Sequence, residues 1–350
     1  MGQLDELYDR ISLLEKENEN LRNWQDSMNQ LLSQMLSVIE EQKAQDDKNS
    51  SSINNLWEYA MINRWRIDSL PYELSDKDHK SFFFKPHILS VEETRKKIID
   101  EGKSFSRFGD GEFAAIACQK RWNFQGVSEW LSQRLKEVLQ SDDDGILIGL
   151  HSTFYKNLED LSELDADGVR AYMRPDVRRQ HASLLNRTKI YAEALYHRIT
   201  SKQDVFELKR IWDKRDCVFV EGIHTGMGVG NDLFDNADEI VRILCPSENA
   251  VDRYDDIMNS VLKLPKDKLV LLALGPTATV MAYDLYKEGY HAIDAGHIDL
   301  VYEKYIRNLS DLYKVKIPYK YCSSDERISG RKIEEIQDKD YLEQIIERIY

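Results

Sequence analysis

From about residue 86 onward the chain predicts an α/β domain with a mostly parallel sheet, and three observations carry that reading. Apolar segments of strand length alternate with amphipathic segments of helix length, the order expected of strand–helix–strand units. Several of the apolar segments are continuous, as in Gly145-Ile146-Leu147-Ile148-Gly149-Leu150, which marks a strand buried on both faces. Glycine-rich or acidic turns follow the apolar runs, and in an open parallel sheet ligands bind at the carboxyl ends of the strands.

Residues 1–45 carry a heptad repeat. Leu4, Leu7, Ile11, Leu14, Asn18, Leu21, Gln25, Met28, Leu32, Met35 and Ile39 fall alternately at the a and d positions. A 3.5-residue period predicts a left-handed coiled coil, and Asn18 at an a position favours a parallel dimer. The alternative is an amphipathic helix lying on the chain's own globular part. Residues 46–85 form a linker and docking segment. It begins in a polar tract and continues with Trp57, Tyr59, Trp65 and Ile67, a short helix expected to dock on the main domain.

Residues 86–350 form the α/β domain. Helix is expected over 91–99 and strand over 104–108, leading into an acidic turn. Helix follows over 130–139, strand over 145–150, and a basic helical stretch over 176–200. Further buried strands are expected at 217–221, 240–244, 269–274 and 291–294. The C-terminal stretch, with Ile333, Ile336, Leu342, Ile345, Ile346 and Ile349, reads as an amphipathic helix.

A formal net charge of −14 argues against non-specific binding to nucleic acid or to an anionic membrane surface. No apolar run approaches bilayer length, and the acidic, heptad-patterned start is unlike a signal peptide. Cys118, Cys217, Cys245 and Cys322 lack CxxC spacing. Three of them lie in apolar or strand-like surroundings, which suggests reduced thiols and a cytoplasmic location.

Four segments after strands are candidate sites. The first is Ser106-Arg107-Phe108-Gly109-Asp110-Gly111-Glu112-Phe113. Two carboxylates between glycines offer hard oxygen ligands to Mg²⁺ or Mn²⁺, ions that also bind substrate phosphates; a turn with solvated acids is the plainer alternative. The second runs from Glu221 through Gly226, Gly228 and Gly230 to Asn231 and Asp232. Its glycines allow backbone N–H groups to line an anion nest, whereas a flexible loop is the alternative. The third, Gly275-Pro276-Thr277, opens a helix whose free N–H groups suit a phosphate, although ordinary caps look the same. The fourth is 294–303, where His297, Asp299 and Glu303 are candidate bases, metal ligands or hydroxyl acceptors. Walker, GxSxG, HExxH and kinase motifs are absent from the sequence.

Five stretches in order, 107–113 (RFGDGEF), 228–234 (GVGNDLF), 242–250 (RILCPSENA), 272–285 (LALGPTATVMAYDL) and 294–303 (DAGHIDLVYE), resemble the bacterial glycosyltransferases of GT-D type. The resemblance covers roughly 86–320. It implies a Rossmann-like domain, a nucleotide-sugar donor (typically UDP-glucose) and a divalent cation, Mn²⁺ or Mg²⁺, on a DXE motif, here Asp110 and Glu112. It also implies a glycan or glycoprotein acceptor in bacterial surface glycosylation. Arg107, Glu221, Gly228, Gly230, Asn231, Arg242, Gly275, Pro276, Thr277 and Glu303 are then the expected donor contacts. Asp232, His297 and Asp299 are the candidates to take the acceptor's proton, and the sequence does not choose among them. Relatives often carry an arginine just before the glycine run where this chain has Thr225-Gly226-Met227, so His224, Arg107 or Arg242 would supply the missing cation. The competing reading is a scaffold or nucleotide-binding module, recruited through the coil and without transferase activity.

Overall fold

The heptad-bearing segment forms one helix, α1 (Gly2–Lys43), and the aromatic segment forms a second, α2 (Ser50–Ser75). In this computed structural model residues 2–43, 50–75, 84–118, 125–126, 128–173, 181–309, 312, 315–320 and 333–350 are described. The chain divides into two compact units, Met1–Lys85 with Thr153–Ser183, and Pro86–Ser152 with Leu184–Tyr350.

In the first unit α2 is longer than the short helix expected. It packs on α1, burying Leu32, Leu36 and Ala60 together against Met28, Met61 and Ile67. Gln25 Nε2 donates to the Ile67 carbonyl at 3.2 Å, and Asn29 Nδ2 donates to Asp68 at 3.0 Å. Part of the expected seam is thus covered from within the chain. Met28 and Leu32 face α2, Leu36 joins them, and Met35 stays exposed. The other apolar heptad positions and Asn18 have side chains outside the described residues. Arg66 ties α2 to helix Glu163–Tyr172 through Asp167 at 2.5 Å and Glu163 at 2.6 Å.

The second unit is built on nine strands, parallel throughout. They are β1 (His87–Ile88), β2 (Ser104–Phe108), β3 (Ile146–Leu150), β4 (Ile190–Glu193), β5 (Asp216–Gly222), β6 (Glu239–Cys245), β7 (Leu269–Ala273), β8 (His291–Asp294) and β9 (Ile345–Arg348). Their order is β1-β4-β3-β2-β8-β7-β5-β6-β9. The continuous apolar runs are the central strands. Val218, Phe219 and Val220 of β5 and Leu269 to Leu272 of β7 have no exposed surface, as expected of strands covered on both faces.

Two stretches expected to be helical contain strands. Ile190–Glu193 pairs with β3 through Gly149↔Ala192, and Ile345–Arg348 pairs with β6 through Arg242↔Ile345. Both have β-branched or aromatic residues that suit a pleated surface, although their apolar spacing also fits a helix. Only Lys339–Gln344 of the C-terminal stretch is helical. Cys217 and Cys245 are buried free thiols, Cys118 is exposed, and Cys322 lies outside the described residues.

From β2 the chain steps outward to β3 and β4, while β8 is reached from the other side through β7. The connections of adjacent β2 and β8 therefore leave in opposite directions. Such a switch point opens a crevice at the carboxyl edge of the sheet.

Candidate functional site

A cleft lies at that edge. Arg107 from β2, Gly296 and His297 after β8, Leu274 and Gly275 after β7, and Gly222 at the end of β5 with His224 and Thr225 beyond it line the cleft, with Asp299 and Ser247. Four of the strand-following segments singled out in the sequence thus come together, and the residues within them do different things.

The acidic turn is the first turn of helix Asp110–Ile116, with Gly109 as its cap. Glu112 is 3% exposed, and its Oε2 accepts the Gly109 N–H at 2.6 Å. Arg107 comes from the strand just before. A Cβ on Gly109 would stand 3.2 Å from Glu112 Oε2 and 3.6 Å from Arg107 Nη1, so the absent side chain lets the two approach. Arg107 also lies over Gly296, whose φ is +52° and whose added Cβ would meet the guanidinium at 2.9–3.0 Å. Glycine at 296 is therefore required twice, by conformation and by space.

Behind Arg107 stands Asp294, 1% exposed, with Oδ1 3.9 Å from Arg107 Nε. Asp294 Oδ1 accepts the Gly296 N–H at 3.0 Å, and Thr279 Oγ1 lies 3.0 Å from Oδ2 and 2.9 Å from the Arg107 carbonyl. One hydroxyl proton cannot serve both acceptors. Burial pushes the Asp294 carboxyl above its ordinary range, although Arg107 pulls it back. Burial likewise pushes Glu112 up to about 7, opposed by Arg107 and reinforced by Asp294 and Asp110. Desolvation works against the Arg107 charge, but Asp294 and Glu112 hold its pKa above the ordinary value. Three acids thus surround one arginine whose Nε has no hydrogen-bond partner among the described residues.

Among those residues no group of three or more His, Cys, Asp or Glu is arranged to hold a metal ion. The acidic turn nonetheless suits a cation in its charge. Its carboxyls outnumber the single guanidinium, and Glu112 is driven towards protonation. Asp110 and Glu112 would supply two oxygen ligands, and the others would have to come from a substrate or water.

On the β7 side, Gly275 is exposed, with φ +56°, and opens helix Pro276–Lys287. The helix N-terminus therefore borders the cleft with its positive end. The Thr277 hydroxyl does not face it: the residue is buried and bonds Gln125 at 3.2 Å.

The glycine loop differs most from expectation. Its anion nest exists, but the protein's own carboxylates occupy it. Glu221 Oε2 accepts the Met227 N–H at 2.8 Å, and Asp299 Oδ1 accepts the Gly228 N–H at 2.8 Å. Gly226, Gly228 and Gly230 all have positive φ. An added Cβ would strike Ile336, Phe234 and Tyr319 respectively, so these glycines serve tight turns and packing. Arg242 is placed in the interior, 3% exposed. It pairs with Glu221 at 2.5 Å, donates to the Met227 carbonyl at 2.9 Å and lies between the Phe219 and Tyr341 rings. Neither Arg242 nor Glu221 reaches the cleft. Of the three residues that could supply the missing cation, Arg107 and His224 face it.

Asn231 and Glu303 are also turned inward. Asn231 Nδ2 donates to Asp299 at 2.9 Å and to Glu303 at 2.7 Å. Asp299 lines the cleft but accepts from Gly228, Asn231 and Lys320, so most of its acceptor positions are committed. Asp232 lies away from the cleft, bonded by Tyr302 at 2.5 Å and Lys209 at 3.3 Å, and the Tyr302 bond holds its carboxyl below the ordinary range. Of the three candidate bases, His297 alone presents an exposed side chain to the cleft. Desolvation in the crowded cleft and the Arg107 charge push it below the ordinary imidazole range, although its solvent-facing edge limits the first. It stands there as neutral imidazole. Sequence reasoning missed Asp294 and Lys320 as members of this region. Asp294 ends a strand inside a segment already singled out, whereas nothing around Lys320 signals its burial.

The GT-D glycosyltransferase fold matches residues 105–325. The chain is 34% identical over 269 residues to a probable glycosyl transferase, Gly, of Streptococcus gordonii, covering 74% of this chain and 38% of that protein. It is 33% identical over 273 residues to the glycosyltransferase GlyD of Streptococcus pneumoniae serotype 4, covering 75% and 32%. The chain thus spans about a third of the length of these relatives. A solved structure of the domain of unknown function 1792, described as having a distinct glycosyltransferase fold, superposes with a TM-score of 0.68 at 30% identity, over 84% of this chain and all of that one.

Proposed function

This chain belongs to the GT-D glycosyltransferases, and from that premise we propose that its cleft binds a nucleotide-sugar donor, UDP-glucose in the first instance, by the diphosphate. The observation that carries the reading is Arg107, set by Asp294 over Gly296 at the β2/β8 crevice, with a buried Nε lacking a partner among the described residues. Breaking a sugar–phosphate bond builds negative charge on the leaving diphosphate. Arg107 and the helix N-terminus at Gly275-Pro276 are already oriented to receive that charge, so little reorganisation is needed as it develops. Mn²⁺ or Mg²⁺ held by Asp110 and Glu112 would neutralise part of the same charge when bound. His297, as neutral imidazole, takes the proton of the attacking acceptor hydroxyl. The acceptor is a glycan or glycoprotein, the setting is cytoplasmic glycosylation of bacterial surface molecules, and α1 associates copies of the chain through whatever part of its seam α2 leaves free.

A donor-binding module without turnover is the second reading. It is favoured by the nest amides already filled by Glu221 and Asp299, and by Thr225-Gly226-Met227 in place of an arginine. A panel of nucleotide sugars, assayed for release of nucleoside diphosphate with and without Mn²⁺ or Mg²⁺, separates the two. We expect metal-dependent release from one donor, lost in Asp110→Ala. Tight donor binding with no release under any condition would establish the module instead.

A further inference from the structure

Lys320 is fully buried, yet sequence gives it no role. Its Nζ donates to Asp299 Oδ2 at 2.6 Å and lies 3.9 Å from Glu303 Oε1. Asp299 forms part of the cleft wall and holds the Gly228 N–H and the Asn231 amide with its other oxygen. Asn231 in turn bridges to Glu303, which Arg307 meets from the far side at 2.7 Å. Lys320 is carried to this point by a segment in which Val315 and Ile317 pack on Leu300, another residue of the cleft wall. One buried cation therefore sits behind two carboxylates and, through one of them, fixes the glycine loop.

An acidic wall is a poor neighbour for a diphosphate. Asp299 stays compatible with an anionic ligand only while a cation stands behind it, because a like charge left uncompensated at low dielectric repels strongly. We infer that Lys320 is a positioning residue for donor binding: it touches no substrate, but it neutralises Asp299, shares Glu303 with Arg307, and through Asp299 holds loop 226–231, whose Met227 lines the cleft, in place. The inference deepens the donor reading above and rests on it.

The test uses the full chain and three probes, UDP, UMP and uridine, titrated with Mn²⁺ present, together with hydrogen exchange. In Lys320→Met, UDP affinity should fall about tenfold or more while uridine affinity changes far less, with UMP between them. Exchange should rise in 226–231. Lys320→Arg should recover part of both effects. A residue that merely supports the fold would weaken all three ligands alike, and that result, or unchanged UDP affinity, overturns the inference. If Lys320→Met does not fold, Asn231→Leu breaks the Asp299–Glu303 bridge without stranding a charge and must show faster exchange at 226–230 and the same loss for UDP over uridine. Should the unsubstituted protein bind none of the probes, the donor reading fails. Exchange then decides for the latch: no rise at 226–231 in Lys320→Met refutes it.

Discussion

The two walls of the cleft both rest on buried acids, and they are balanced in opposite ways. Behind the glycine loop each acid has its own cation and its own amide: Glu221 has Arg242 and Met227 N–H, and Asp299 has Lys320 and Gly228 N–H. Around the acidic turn, Asp110, Glu112 and Asp294 share Arg107, and burial pushes Glu112 up to about 7. The first wall is complete as folded. The second carries an unbalanced charge that a bound cation and an anionic substrate would settle together, which is why we place recognition there and scaffolding opposite.

The sharpest way to break this contrast is to remove the shared cation. Arg107→Ala should lower kcat/KM per folded molecule by roughly 10²–10³-fold, the scale of losing an oriented charge at a leaving group, and should also lower the melting temperature because Asp294 loses its buried cation. A small kinetic effect would move recognition elsewhere. The opposite wall should respond in the opposite sense. Arg242→Met strands Glu221 in the interior and should cost about 3–5 kcal/mol of stability, read by denaturant unfolding, while turnover per folded molecule is largely kept.

The imbalance itself is measurable through pH. Glu112 has its folded value raised from 4.5 to about 7. It therefore binds its proton more tightly folded than unfolded, and stability falls as pH rises through that interval. In chelator, Glu112→Gln should be the more stable protein at pH 8, by at most roughly 3 kcal/mol, with the advantage vanishing near pH 4.5. A variant destabilised at pH 8 would mean that Glu112 is already compensated. The smallest effect belongs to the scaffold wall. Gly230 has φ +79° with Tyr319 Oη 2.6 Å from an added Cβ, so Gly230→Ala should cost about 1–2 kcal/mol of stability, read by denaturant unfolding.

Much of the fold was legible because the central strands are buried on both faces and so read as unbroken apolar runs, as in Val218-Phe219-Val220 and Leu269-Val270-Leu271-Leu272. Strands β4 and β9 were not, since Ile190–Glu193 and Ile345–Arg348 are short and their apolar spacing satisfies a helix equally well. The cleft's segments were also legible, from glycines and acids placed after strands. What spacing cannot show is whether a charge is already matched at long range. Arg242 and Glu221 looked like ligand contacts until the fold paired them, and Lys320 lies 21 residues from the carboxylate it neutralises. Asp294 was passed over because an acid ending a strand resembles any solvated turn residue until Arg107 is seen beside it.

The most direct measurement is the structure of the chain with UDP and Mn²⁺. The diphosphate is expected against Arg107 and the N-terminus at Gly275-Pro276, with the cation on Asp110 and Glu112. A nucleotide bound away from the β2/β8 crevice, or a cation held without either acid, would contradict that expectation.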